Sequence, residues 1–170
     1  MSLAPTDYDF GDASNFFFAT TITCANDEAR AMYVEAYGHM LNYNHEQAIA
    51  CFTQCAELDP TCAMAYWGIA YCLSSSYNWA PGLGSGYDSI QLALANKDGC
   101  TELEIDLIDA LSLRHTKEAR DQMDPTVLNM GNTPELNAAF ATAMKPIYEK
   151  YAGNLDVASI YVEALMNLNP

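Results

Sequence analysis

The segment at residues 46–70 constrains the fold of this chain more than any other. Ala48, Phe52 and Cys55 recur at the spacing of one helix face, so that small and bulky side chains form a single stripe. Pro60 follows, and proline ends a helix because it lacks a backbone N–H and restricts the residue before it. The segment is therefore predicted to hold the second helix of one antiparallel pair, a turn, and the first helix of the next pair.

The rest of the sequence predicts an all-α domain over residues 26–170, preceded by an extended arm at residues 1–25. The arm carries Phe16, Phe17 and Phe18 without a helical period, and we expect these side chains to lie against the first helices. About seven helices are expected, because apolar segments of helical period alternate with turn signals and no segment alternates like a strand.

Several helix ends can be predicted from capping and breaking residues. Asn44 with Gln47, and Thr101 with Glu104, have the spacing of a capping box, in which the side chains at both positions bind backbone N–H groups. Pro146 lies inside a later helical segment and is predicted to kink that helix or to end it early.

The charge of the chain excludes some classes of partner. The formal net charge is −15, from 22 Asp plus Glu against only seven Lys plus Arg. An acidic protein of this kind repels phosphate backbones and anionic lipid, so neither nucleic acid nor a membrane surface is an expected partner. The apolar runs are also too short to span a bilayer.

The six cysteines show no metal-binding pattern. No pair has CxxC spacing, and no Cys/His combination has the spacing of a zinc finger. Cys51 and Cys55 lie one helical turn apart and are predicted to be small buried residues, so no metal or cofactor is expected. No signal peptide is visible at the N-terminus, which favours the cytoplasm and leaves an extracellular location open, as it does disulfide bonding.

The helix-pair pattern resembles the tetratricopeptide repeat (TPR) family. The residues that match the family pattern are Ala36, Ala48, Phe52, Cys55, Pro60, Tyr66, Ile69 and Ala70. The resemblance covers residues 27–75 best, and the loop at residues 78–86 is longer than the tight turn of the family. It implies a solenoid of stacked antiparallel helix pairs that binds other proteins.

A closer similarity is to the N-terminal part of uncharacterised, mostly bacterial TPR proteins. It rests on the segments 42–48, 62–70 and 161–166. In that group the chain continues with further helix pairs, some of them histidine-rich. One alternative is therefore that this chain is a fragment of a larger TPR protein, with any metal or enzymatic site outside it.

Aromatic residues are the candidate partner-binding residues. In TPR stacks the first helix of each pair lines a concave groove, and the resemblance places Tyr33, Tyr37, Trp67 and Tyr71 there. Aromatic side chains give a large contact area to a bound peptide, although the same residues could instead pack against neighbouring helices. Trp79, in a loop rich in glycine, is a candidate docking residue or a packing residue of that loop.

No catalytic arrangement is predicted. The three histidines are dispersed, and none lies in an HExxH motif. Glu102, Asp106 and Asp109 share a helix face that could hold a hard cation, but a solvated acidic face is the preferred interpretation. The leading hypothesis is a non-enzymatic scaffold for protein–protein interaction. The main alternative is a self-assembling subunit that uses its open helical ends and its N-terminal arm.

Overall fold

The computed structural model of the protein describes residues 21–74, 76, 86–121 and 134–168. Most of the predicted arm at residues 1–25, and the loop that carries Trp79, lie outside the described residues. The last residues of the arm are described, and there Ile22 is buried in the core ahead of the first helix.

The described residues are predominantly helical and include no β-strand, which confirms the all-α prediction. Eight helices lie in this part of the chain: α1 (Asp27–Leu41), α2 (His45–Leu58), α3 (Ala63–Cys72), α4 (Tyr87–Ala95), α5 (Glu102–Ser112), α6 (Lys117–Asp121), α7 (Pro134–Lys150) and α8 (Leu155–Met166). The helix that the sequence did not predict is α6, a short polar turn in which the Thr116 hydroxyl accepts a hydrogen bond from the Ala119 amide.

The predicted helix ends are partly confirmed. Thr101 and Glu104 form the expected capping box at the start of α5. Asn44 stands at the N-cap of α2, but its side chain makes no capping hydrogen bond, so the predicted box with Gln47 was wrong. Pro146 does not end α7, which continues to Lys150.

The helices pack in chain order. From α1 to α5, each helix contacts the next one in the sequence. Helix α5 then contacts α7, and α7 contacts α8. In addition α1 contacts α3, and α3 contacts α5. Helix α3 therefore lies beside both α1 and α5. Helices α2 and α4 connect these three in the sequence, and each packs against the helix before it and the helix after it.

The approach of α2 to α3 depends on a glycine. A Cβ atom added to Gly68 would lie 2.4 Å from Cζ of the Phe52 ring, closer than atoms can approach. Phe52 is fully buried, as are Ala48 and Cys55 on the same face of α2. The stripe predicted from the sequence is thus a buried face, and the missing side chain of Gly68 makes room for its aromatic ring.

Candidate functional site

The four predicted groove residues that the structure describes lie inside the protein. Tyr33 and Tyr37 stack on α1 with ring centroids 6.0 Å apart, and Trp67 and Tyr71 stack on α3 with centroids 5.0 Å apart. Their exposed fractions are 0%, 1%, 1% and 6%, in that order. The structure thus groups these aromatic residues but buries them rather than leaving them on an open surface.

Later helices of the same chain bind these aromatic side chains. Nε1 of Trp67 donates a hydrogen bond of 3.2 Å to the backbone oxygen of Leu107 on α5. The hydroxyl of Tyr37 donates to Oδ1 of Asp156 at 2.9 Å, and the hydroxyl of Tyr71 donates to Oε2 of Glu163 at 2.6 Å. Asp156 and Glu163 are two turns apart on one face of α8, so this helix is attached to both α1 and α3.

Burial sets the protonation of these groups. It raises the pKa of Tyr71, and the carboxylate of Glu163 raises it further, so the phenol stays a neutral donor. Burial also raises the pKa of Glu163, against the opposing influence of the Tyr71 hydroxyl and the Arg114 guanidinium. Glu163 thus reaches the aromatic layer as a partly desolvated hydrogen-bond partner rather than as a fully hydrated charge.

A cavity of about 410 Å³ opens beside Tyr71, between the end of α1 and α8. Its lining is mainly apolar and consists of Met40, Leu41, Tyr43, Tyr71, Leu155, Ala158, Ser159, Ile160, Val162, Glu163 and Met166. Of the predicted groove residues, only Tyr71 borders it.

Tyr43 at the rim of this cavity has an unusual backbone. Its φ angle is 58°, in the left-handed region that residues other than glycine rarely adopt. Two backbone hydrogen bonds that close the end of α1 hold this conformation: the amide of Tyr43 donates to the oxygen of Met40, and the amide of Asn44 donates to the oxygen of His39. The side chain is 59% exposed at the rim, which makes Tyr43 a candidate binding residue that the sequence did not indicate.

The outer face of α8 is apolar and uncharged. Leu155 is 76% exposed and Val162 is 54% exposed, and Met166 continues the same stripe at helical spacing. The two acidic residues of the helix, Asp156 and Glu163, are instead engaged with the tyrosines of α1 and α3. We call the exposed residues Leu155, Ser159, Val162, Leu165 and Met166 the outer face of α8.

Two lysines pair with the acidic face of α5. Nζ of Lys150 lies 2.7 Å from Oε1 of Glu102 and 2.7 Å from Oδ2 of Asp106. Lys97 pairs with Asp109 in the same way. Each of the three carboxylates considered as hard-cation ligands thus has an ammonium partner, and a cation would have to displace both lysines.

Three cysteines that are distant in sequence lie close together. The Sγ atoms of Cys24, Cys55 and Cys62 are all within 4.8 Å of one another, and those of Cys55 and Cys62 are 4.0 Å apart. A second group of possible ligands, Glu35, His39 and Cys51, lies between α1 and α2. Motif spacing could not reveal either group, because their members come from separate segments.

Comparison with known proteins gives no relative: no family model matches the chain, and neither a curated protein nor a solved structure is significantly similar to it. Within the described part of the chain, none of the helices has both the length and the apolar character that crossing a bilayer requires. Trp79, the remaining predicted site residue, lies outside the described residues.

Proposed function

We propose that this chain is a non-enzymatic helical-repeat scaffold of the TPR type, and that it binds a protein partner on the outer face of α8 and the adjoining cavity. The observation that carries this proposal is the uncharged, exposed face of a helix in a chain of net charge −15. Large apolar surfaces that stay in contact with water are typical of interaction sites.

The order of helix packing supports a TPR-like arrangement. In stacked helix pairs the first helices of successive pairs lie side by side, as α1, α3 and α5 do. The close contact of Gly68 with Phe52 has the small-against-large character that such stacking requires. In this interpretation α8 lies across the aromatic side chains of α1 and α3, so that a partner meets α8 and not the aromatic layer beneath it.

The partner that fits this surface best is an amphipathic helix with basic residues beside its apolar stripe. The outer face of α8 offers apolar side chains at the spacing by which two helices pack. Glu163 lines the cavity, but its carboxylate already accepts the hydrogen bond of Tyr71, so the attraction for basic residues comes from the charge of the whole chain. The net charge of −15 attracts a basic partner over longer distances.

The same net charge argues against a second copy as the occupant. Two copies that meet through α8 would bring two chains of −15 together, and like charges oppose association. The self-assembling subunit is therefore the second candidate, favoured only by the apolar character of the face. The hypothesis of a fragment whose active site lies elsewhere makes no use of this surface.

A selection from a displayed library of helix-forming peptides tests the proposal. The wild-type chain is expected to enrich peptides that combine an apolar stripe with Lys or Arg. Val162→Asp should weaken the binding of a selected peptide by more than about tenfold, because it places a charge in the centre of an apolar interface. Titration of a fluorescent copy of the peptide measures the change.

Leu92→Asp is the matched control. Leu92 is 48% exposed on α4, close to the 54% of Val162, and its replacement adds the same negative charge. The control variant should bind the peptide like the wild type. Equal losses in both variants would show that binding does not depend on the outer face of α8, and a selection without enriched peptides would likewise overturn the proposal.

A further inference from the structure

The cysteine cluster brings together three segments of the chain. Cys24 precedes α1, Cys55 lies in the last part of α2, and Cys62 is the N-cap residue of α3. Cys55 and Cys62 are fully buried, whereas Cys24 is partly exposed, and none of the three forms a disulfide. The cluster is therefore a set of free thiols in the protein interior with one member toward the surface.

Asp59 holds the segments of the cluster in place. Its Oδ2 accepts a hydrogen bond of 2.6 Å from the amide of Ala25, next to Cys24. Its Oδ1 accepts bonds from the amide and the hydroxyl of Thr61, next to Cys62, at 3.0 Å and 2.6 Å. One buried carboxylate thus ties together the residues that flank two of the three thiols, and orders them before any ligand binds.

The spacing of the sulfur atoms suits a metal ion. The sulfurs of Cys55 and Cys62 are 4.0 Å apart, about twice the length of a disulfide bond. This distance is close to the separation of two thiolates that bind one ion at about 2.3 Å each. Thiolates select soft ions, while carboxylates and carbonyls select hard ones. Among the described residues, the ligand atoms of this group that lie within mutual reach are the three sulfurs, and the Asp59 carboxylate contacts the group on one side, at Cys24.

We propose that Cys24, Cys55 and Cys62 form a binding site for a single Cu(I) ion. Cu(I) is soft and accepts three sulfur ligands, whereas structural Zn²⁺ sites are completed by a fourth ligand. The ion would enter at Cys24, the exposed member of the set, and displace the thiol protons as it binds. Asp59 is a positioning residue of this site and not a ligand.

Anaerobic competition with a chromogenic Cu(I) chelator tests the site. The reduced full-length chain should withdraw one Cu(I) ion per molecule from the chelator and develop an ultraviolet thiolate-to-copper absorption band. Cys24→Ala should weaken the binding by more than about 100-fold, because losing a direct ligand costs more than losing an outer partner does. Cu(I) should also raise the melting temperature of the wild type and not that of the variant.

Two further cysteine variants complete the experiment. Cys100→Ala removes a half-buried cysteine outside the cluster and should leave Cu(I) binding unchanged. Cys51→Ala examines the group with Glu35 and His39, and it should also bind like the wild type. Circular dichroism of the metal-free Cys24→Ala variant shows whether it is folded. Cys62→Ser removes a second of the three proposed ligands and should also lose Cu(I) binding.

Four results would overturn the proposal. The first is weak Cu(I) binding by the folded wild type, and the second is binding that survives both Cys24→Ala and Cys62→Ser. The third is a preference for Zn²⁺ over Cu(I) in parallel titrations, which would contradict a three-sulfur site. The fourth is loss of binding in Cys51→Ala alone, which would assign the ion to the other group.

Discussion

The hydroxyl of Tyr37 on α1 donates a hydrogen bond of 2.9 Å to Asp156 on α8, across 119 positions of the sequence. Both side chains are buried, with exposed fractions of 1% and 6%. The contact attaches the last described helix to α1, and it turns Asp156, one of the two acidic residues of α8, inward. The outer face of the helix is thereby left with uncharged side chains.

Tyr37→Phe is expected to destabilise the protein by about 1.5–3 kcal/mol, the range for a hydrogen bond to a charged group. The variant keeps the ring and its stacking on Tyr33 but removes a buried donor of Asp156. Urea unfolding followed by circular dichroism measures the change. Tyr148→Phe, at a position that is 41% exposed, is the control and should change the stability little. Equal stability of both variants would contradict the role of this contact.

Gly68→Ala should destabilise the protein by about 1–3 kcal/mol, because the added methyl group overpacks the contact between α2 and α3. The new Cβ would stand 2.4 Å from the ring of Phe52. Phe52→Leu in the same chain should recover part of the loss, so that the two changes are not additive in a double-mutant cycle. Additive losses in urea unfolding would show that the two residues do not limit the approach of the helices.

We expect His115 to make the protein less stable in acid. Burial and then the neighbouring Arg114 lower the pKa of His115 to about 4, and its Nε2 lies 2.8 Å from the hydroxyl of Ser74. The unfolded chain has the ordinary, higher histidine pKa, so between the two values it binds the proton better than the folded chain does. Stability is therefore complete above the unfolded pKa and declines as the pH falls toward the folded one.

The expected decline from this one group is roughly 2 kcal/mol between about pH 7.5 and about pH 5. Urea midpoints at the two pH values measure it in the wild type and in His115→Gln, which retains a polar group but does not titrate. Other groups titrate in both proteins, so the difference between them isolates His115. A decline of the same size in the variant would contradict the assignment.

Tyr43→Gly should stabilise the chain by about 0.5–1 kcal/mol, because glycine adopts a positive φ without steric cost. The same change removes an exposed aromatic ring from the rim of the cavity, so the peptide selected by the wild type should bind less tightly. Thermal unfolding and the peptide titration together measure both effects. A variant that binds the peptide as well as the wild type would exclude Tyr43 from the interface.

Calcium is expected not to raise the melting temperature of the wild type, because Lys150 already pairs with Glu102 and Asp106. These pairs are exposed and screened by water, so Lys150→Gln should change the stability little. Melting curves with and without calcium test both statements. A clear calcium-dependent rise in the wild type would restore the hard-cation interpretation of this face.

Local rules predicted much of the fold. The all-α class, the start of α5 at the Thr101 capping box and the buried face of α2 depend on residues a few positions apart, and the structure agrees with each. The exceptions are also local. Asn44 has the position of a cap without its hydrogen bond, and Pro146 lies in a helix whose buried neighbours Met144 and Ile147 stabilise it despite the proline.

The site depends on contacts between distant segments, which local patterns do not encode. The sequence grouped Tyr33 with Tyr37, and Trp67 with Tyr71, but it could not show that α5 and α8 would cover them. About seven helices were predicted over residues 26–170, but the sequence did not indicate where the later ones would pack. The cysteine cluster was missed for the same reason, since Cys24 meets its partners only in the folded chain.

The absolute mass of the chain in solution tests the central claim most directly. Light scattering over a wide concentration range, at near-physiological salt and at higher salt, distinguishes a surface for a basic partner from a surface for another copy. The account predicts a constant mass of 18.7 kDa at near-physiological salt, because the chain charge of −15 keeps the outer faces of two copies apart. A mass that grows with concentration under these conditions, and that Val162→Asp restores to the monomer value, would contradict it.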